Sequence, residues 1–331
     1  MRVSARMGAR MLAAVAGAVA LGATLIALPA LAEYPDHPIR YVLHVSPGGA
    51  TDVMARKLGS ALQTLLGQPF VIENKPGGRG ASQMVEITRA APDGYTIGSV
   101  TNTHLAAFHQ VLKQYNVDSL TWIAKLVYEP YVFVVKNDSP VKDMQGLLKT
   151  IKDQPGKIVI AGFVRGSGSH VAWEMLMHAA NLPSDSVNWV PYDSVGDGVT
   201  AVLGGHGLAT VAYAGLVKDH VAAGNLRVIG VMADKRLEEM PSVPTLKEQG
   251  IDVPTSWTQW RGVVGPKGIP MEIQNKIAGA IGKVMASDDM KQFVRNDSLV
   301  SDFLGPEEFT KFVKEQDKIT TDWLTQLGFM N

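Results

Sequence analysis

Three short stretches carry residues that could hold a ligand: SPGGATD at 46–52, KPGGRGAS at 75–82 and VRGSGSH at 164–170. Each mixes glycine with hydroxyls, and each stands where a β-rich run gives way to an amphipathic one. Glycine has no Cβ, so the backbone around Gly48, Gly49, Gly77, Gly78, Gly80, Gly166 and Gly168 can approach an external group closely. The first turn of a helix has unpaired N–H groups and carries about half a positive charge. Two or three such helix starts aimed at one cleft would bind an anion without a cofactor. Tight turns also call for glycine. That explains one such stretch, and three of them put the two explanations level.

Hydroxyls and charges surround these glycines. Ser46, Thr51, Ser82, Ser167 and Ser169 can donate to a carboxylate or cap their own helices. Asp52 suits the first turn of a helix and could take a water or a ligand hydroxyl, but it repels a carboxylate. Arg79 and Arg165 are the cations nearest the expected cleft, and a guanidinium matches a carboxylate with two parallel bonds. Thr101, Asn102, Thr103 and His104 follow a strand, so their polar groups can face the same cleft, although Asn102 and Thr103 could instead cap the next helix. Nucleophilic chemistry has one candidate pair, Ser169 beside His170, which lacks an evident orienting acid. No phosphate-cradle motif, H-E-x-x-H pair or G-x-S-x-G elbow occurs in the chain.

The elements that position these turns follow from the apolar pattern. Ile39–Val45 reads as a buried strand, and Thr51–Leu66 as a helix with Val53, Met54, Leu58, Leu62, Leu65 and Leu66 on one face, stopped by Gly67. Phe70–Glu73 and Tyr95–Val100 read as strands, with a helix ending near Ala90 between them. The same rhythm restarts with strands at 157–161, 188–192, 208–212 and 227–231, interrupted by helices at 171–180 and 199–203. Repeated strand–loop–helix units predict parallel sheets covered by helices. Trp122–Lys136 is long and β-rich, a candidate crossover between two α/β units. A strand over 256–264 and helices from about Glu272 and Pro306 complete the chain. Trp173, Trp189 and Trp257 are expected in the core, and Trp260 in the core or the cleft wall.

The leading segment reads differently. Arg2, Arg6 and Arg10 precede an apolar stretch from Met11 to Leu28 and an A-x-A site at Ala30–Ala32, the pattern of a secretory leader over residues 1–32. Removing it takes the formal charge from 0 to −3, which leaves no global field for nucleic acid or an anionic membrane. No later apolar run is long enough to span a bilayer, so no stable membrane insertion is expected. There is no cysteine, which excludes disulfides, thiolate chemistry and cysteine metal sites. Export without disulfides suits a bacterial periplasm.

Taken in order, YPDHPIRYVLHVSPGGATDVMARKL, QPFVIENKPGGRGASQMVEI, PDGYTIGSVTNTHLA, GSGSHVAWEML, VPYDSVGDGVTAVLGG, LRVIGVMADKRLEEMPSVPTLKEQGIDV and GPEEFTKFVKEQ resemble the TctC-like, or Bug, receptors of tripartite tricarboxylate transporters. The resemblance implies a type II periplasmic-binding-protein-like α/β fold, each lobe a mostly parallel sheet flanked by helices, with a ligand cleft between them. Lobe 1 would comprise residues 33–130 and 236–331, and lobe 2 residues 131–235. It implies an organic carboxylate against Gly48, Gly49, Ala50, Thr51 and Asp52 and against Gly77, Gly78, Arg79, Gly80 and Ala81, bordered by Thr101, Asn102 and Thr103. Lobe 2 would supply Arg165, Gly166, Ser167, Gly168, Ser169 and His170, with Tyr192, Asp193 and Ser194 across the cleft. It implies no cofactor and no metal, and as partners the large and small membrane subunits of a transporter. Val164-Arg165 departs from the small or aromatic residues of many relatives. An inward Arg165 would favour di- or tricarboxylates, and SWTQWRGVVGP looks closest to the citrate-binding branch. Two other readings remain: a receptor feeding a membrane sensor kinase, and an exported hydrolase built on Ser169 and His170.

Overall fold

Each of the expected strand–loop–helix units forms. In the computed structural model, which describes residues 34–330, the apolar run at the start becomes β1 (Ile39–Leu43), followed by α1 (Ala50–Leu66). The expected leader, residues 1–32, lies outside the described residues. The chain continues through β2 (Phe70–Asn74), α2 (Ala81–Arg89), β3 (Thr96–Thr101), α3 (Asn102–Gln110) and β4 (Leu120–Glu129). After Pro130 come β5 (Tyr131–Lys136), α4 (Met144–Asp153), β6 (Ile158–Phe163), α5 (Gly168–Ala179) and β7 (Val187–Tyr192). Then follow α6 (Val195–Leu203), β8 (Ala209–Tyr213), α7 (Ala214–Ala222) and β9 (Leu226–Met232). The last part holds β10 (Gln259–Pro266), α8 (Met271–Met285), α9 (Asp288–Asn296), β11 (Val300–Leu304) and α10 (Pro306–Gln326).

The strands form two sheets, in the orders β11-β4-β10-β3-β1-β2 and β7-β6-β8-β5-β9. β1 pairs in parallel with β2 and β3, while β10 and β11 enter the first sheet antiparallel to their neighbours. In the second sheet β6 pairs in parallel with β7 and β8, and β5 runs against β8 and β9. Most strands of each sheet therefore point one way, and helices flank both sheets. The 122–136 run is a crossover: β4 belongs to the first sheet and β5 to the second. Pro130 divides them because it has no N–H to continue a ladder.

This topology fixes where a ligand would sit. The C-terminal ends of β1, β2 and β3 collect at one edge of the first sheet, and those of β6, β7 and β8 at one edge of the second. The chain crosses between the sheets at those same edges, since Glu129 pairs with Gln259 and Tyr131 with both Tyr213 and Met232. The loops after the strands therefore face one another. This is where open α/β sheets take ligands.

One face differs from the expectation. α1 buries Met54, Ala55, Leu58, Gly59 and Leu62, while Val53 and Leu65 are exposed. Gly59 explains the shift, because a Cβ there would lie 3.2 Å from Ile72 Cδ1 and 3.4 Å from Phe70 Cβ. The bare backbone brings the helix close to β2 and centres the contact on Gly59.

Apolar cores form in both halves. One gathers Trp122, Trp260, Phe309 and Val313 in the first half, so Trp260 is core and not cleft wall. The other surrounds Phe133, Trp173, Trp189 and Trp257. α10 touches both: Phe309 and Val313 anchor it in the first core and Leu324 in the second. From His37 onward the described residues form one compact unit. Among them no helix is long and apolar enough to cross a membrane.

Candidate functional site

Local chemistry separates the glycine-rich turns into two kinds. No side chain caps α1 or α2, whose N-caps are Gly49 and Gly80. The first-turn amides of Ala50 and Thr51, and those that open α2, therefore lack intrahelical partners. α3 and α5 are capped. Thr101 accepts from Thr103 N–H while His104 Nδ1 accepts from Thr101 N–H, and Ser167 Oγ accepts from His170 N–H. The capping alternative is thus realised at Ser167, whereas α3 is capped by Thr101 and not by the expected Asn102 or Thr103. α5 starts at Gly168 and not at Val171 because Ser167 supplies the cap.

The first turn is braced from inside. Asp52 accepts from Gly48 N–H at 2.9 Å, from Arg56 Nε at 2.9 Å and from Asn74 Nδ2 at 2.9 Å. Burial pushes its carboxyl upward, but these donors hold it below its ordinary value. Asp52 therefore fixes the loop and offers little to a ligand. In the second turn Gly77, Gly78, Arg79 and Gly80 all have positive φ, a backbone that glycine adopts freely and arginine does not. Arg79 Nη1 donates to Gln110 Oε1 and lies 2.6 Å from where a Cβ of Gly166 would be. Arg79 thus reaches the opposite half.

Other contacts join the halves. Gly168 N–H points to Thr103 Oγ1 at 3.5 Å; within the second half, Trp257 Nε1 donates to the Gly168 carbonyl at 2.9 Å. Asn102 Nδ2 donates to Tyr131 Oη at 3.0 Å and to the Thr258 carbonyl at 2.9 Å. The helix starts of α3 and α5 therefore abut.

The remaining expected residues fall elsewhere. Arg165 is exposed and its Nη2 donates to the Trp189 carbonyl at 3.0 Å. Tyr192 ends the edge strand β7 and Asp193 follows it, both on a groove with Pro191, Asp197 and His206, and Ser194 caps α6. His170 is buried, accepts Gly166 N–H at Nδ1, approaches Glu174 Oε1 at 3.3 Å and stacks on Phe329. Ser169 Oγ is bonded to Ser167 Oγ, so each member of the suspected hydrolase pair has a different neighbour.

Sequence reasoning missed Arg261. It is the third residue of β10, opposite Thr101, is 3% exposed, donates from Nε to Thr51 Oγ1 at 3.3 Å and pairs through Nη2 with Glu129. The available signal was an arginine and a glutamate inside otherwise apolar strands, QWRGVVGP and LTWIAKLVYE. Such residues are almost never buried unless paired.

Beneath the second turn lies a neutral histidine pair. His104 Nε2 meets Gln83 Oε1 at 2.9 Å, and a Cβ on Gly80 would lie 2.8 Å from the same nitrogen. Burial pushes His104 down to about 4, and burial beside His104 and Arg261 pushes His44 well below its ordinary value. Between the ordinary histidine value of 6.5 and about 4, the unfolded chain binds a proton that the folded chain refuses. Stability should therefore fall as pH drops through that window, by roughly 3 kcal/mol from His104 alone. His104→Gln keeps the side-chain cap on α3, because glutamine suits that position. Urea denaturation at pH 7 and pH 4.5 should show a smaller acid loss in His104→Gln than in the parent, and equal losses would contradict the assignment.

Known proteins align with this arrangement. The family model described as "Tripartite tricarboxylate transporter family receptor" matches residues 54–328. The "UPF0065 protein in gbd 5'region" of Cupriavidus necator is 31% identical over 319 residues, covering 95% of this chain and 94% of that one. Protein BugT of Bordetella pertussis is 31% identical over 253 residues, covering 75% and 76%. The solved structure of MatC from Rhodopseudomonas palustris with bound malate has the same fold, with a TM-score of 0.78 at 23% identity, covering 88% of this chain and 100% of that one.

Proposed function

The chain belongs to the receptor family of tripartite tricarboxylate transporters, a family of periplasmic solute-binding proteins and not of enzymes, and from that premise we propose that it captures an organic di- or tricarboxylate such as citrate between its two halves. The observation that carries this reading is the pair of uncapped helix starts, α1 and α2, at one edge of the first sheet. Their amides and macrodipoles favour an anion, and glycine leaves the approach clear.

Gly49, Ala50 and Thr51 with Gly78, Arg79, Gly80 and Ala81 hold one carboxylate in this reading. Gly166, Ser167, Gly168 and Ser169 meet the ligand from the other half. One lobe centres on residues 34–130 and 258–330 and the other on 131–257; the expected boundary at 236 moves because Leu237, Met240, Leu246, Ile251, Val253 and Trp257 pack in the second core. A ligand touching both stabilises the closed form, whereas one touching a single lobe shifts nothing. Each charge-assisted hydrogen bond in a closed cleft contributes about 1.5–3 kcal/mol. A few such contacts, less the costs of closure and ordering, give micromolar or tighter binding. The receptor works in the periplasm after loss of residues 1–32 and delivers its ligand to the large and small membrane subunits.

A thermal-shift panel tests the ligand class. Carboxylates, including citrate and malate, should include a hit stabilising the protein by about 2.7 kcal/mol at a hundredfold excess over Kd. A panel in which only neutral sugars or cations shift the melt would overturn the reading.

A further inference from the structure

We propose that Arg261 is the ligand's second charged anchor and makes the receptor selective for molecules bearing a carboxylate at each end. This rests on the carboxylate reading above and deepens it.

A guanidinium has five N–H donors, and a buried charged donor without a partner is costly. Arg261 uses Nε on Thr51 and Nη2 on Glu129. Nη1 is buried and has no hydrogen-bond partner among the described residues. Burial to 3% exposure makes this vacancy meaningful, since an exposed arm would be satisfied by bulk water.

The arm is also well placed. Its Nε partner, Thr51, lies in the uncapped first turn of α1, where unpaired amides already favour an anion. The guanidinium carbon lies 6.0 Å from the ring centroid of Tyr213, which ends β8 in the opposite half. Arg261 therefore faces the seam between the halves from the floor of the first sheet. Asn102, 1% exposed at the same edge, also leaves its Oδ1 without a partner among the described residues.

Glu129 sets what Arg261 can offer. The ion pair already offsets the arginine's charge, so Nη1 contributes a directed hydrogen bond and not a free cation. A carboxylate oxygen accepts such a bond and gains from the α1 dipole. A methyl group in the same place would leave Nη1 unpaired. Selection against a monocarboxylate then comes from the unsatisfied donor.

Calorimetric titration with matched pairs tests this: succinate against butyrate, and adipate against hexanoate. The parent should prefer the dicarboxylate of at least one pair by tenfold or more. Arg261→Gln combined with Glu129→Gln removes both charges together and should cut that preference below threefold. Arg261→Lys keeps a cation beside Glu129 but lacks the forked second arm, and should lose the preference equally, which covers the case of a double variant that does not fold. Glu129→Gln alone frees the arginine and should keep or widen the preference. If Glu129→Gln loses as much as the variants without Arg261, the pair is only a structural clasp and the proposal is wrong. Equal parental affinity within both pairs would overturn the role of Arg261 and leave the carboxylate reading standing. Absence of binding to all four acids, with citrate and malate also failing to stabilise the protein, would remove both.

Discussion

Gly49→Val folds and loses at least a hundredfold in carboxylate affinity. Gly49 has φ −72° and ψ 159°, an extended conformation open to any residue. A Cβ there meets only the Ser46 carbonyl oxygen, at 3.6 Å, so the branch projects into open space without disturbing the fold. The cost to α1 is small, about 1 kcal/mol or less, because glycine is already a moderate N-cap and contributes no side-chain bond. The functional cost is large because the branch covers the amides of Ala50 and Thr51. Two lost contacts at about 1.5–3 kcal/mol each exceed the roughly 2.7 kcal/mol that a hundredfold requires. Titration of the parent's best ligand, alongside a melting curve, reads both sides. A folded variant with parental affinity would remove this turn from the site.

Gly168→Val acts on closure. A Cβ at Gly168 would stand 2.7 Å from Asn102 Oδ1 and 2.8 Å from Asn102 Nδ2, and it would also meet Tyr131 Oη. Asn102 is held by Tyr131 and Thr258, so it cannot swing aside without giving up two hydrogen bonds. The added branch wedges the start of α5 away from the start of α3. Overpacking of this kind costs typically 1–3 kcal/mol. If the strain falls on the closed form, affinity drops by roughly ten- to a hundredfold. Small-angle scattering should show that saturating ligand no longer compacts the variant. Compaction equal to the parent's, at parental affinity, would place the pivot elsewhere.

The sequence announces some of this and hides the rest, for physical reasons. The turns are legible because glycine marks the positive φ at Gly48, Gly77, Gly78, Gly80 and Gly166. The crossover is legible because 122–136 is too long for one strand and Pro130 must break it. Local caps are half legible: Thr101 and Ser167 have partners within three residues, but a hydroxyl that caps looks the same as one that waits for a ligand. Arg261 is hidden because its partners, Thr51 and Glu129, stand 210 and 132 residues away, and no local periodicity reports a contact of that range. β11 is hidden because it is half exposed, so VSDFL shows no apolar run.

The final helix has a consequence for release. α10 spans 21 residues, about 31 Å, and is seated at Phe309 in one core and at Leu324 in the other. Beyond it, Phe329 lies against the His170 ring in the first turn of α5. If the halves part around a ligand as proposed, a rod riveted to both makes every degree of gape bend it or lift its tail. In that reading its stiffness would work as a return spring that limits how long the mouth stays open, and softening the tail should quicken unloading before it weakens loading.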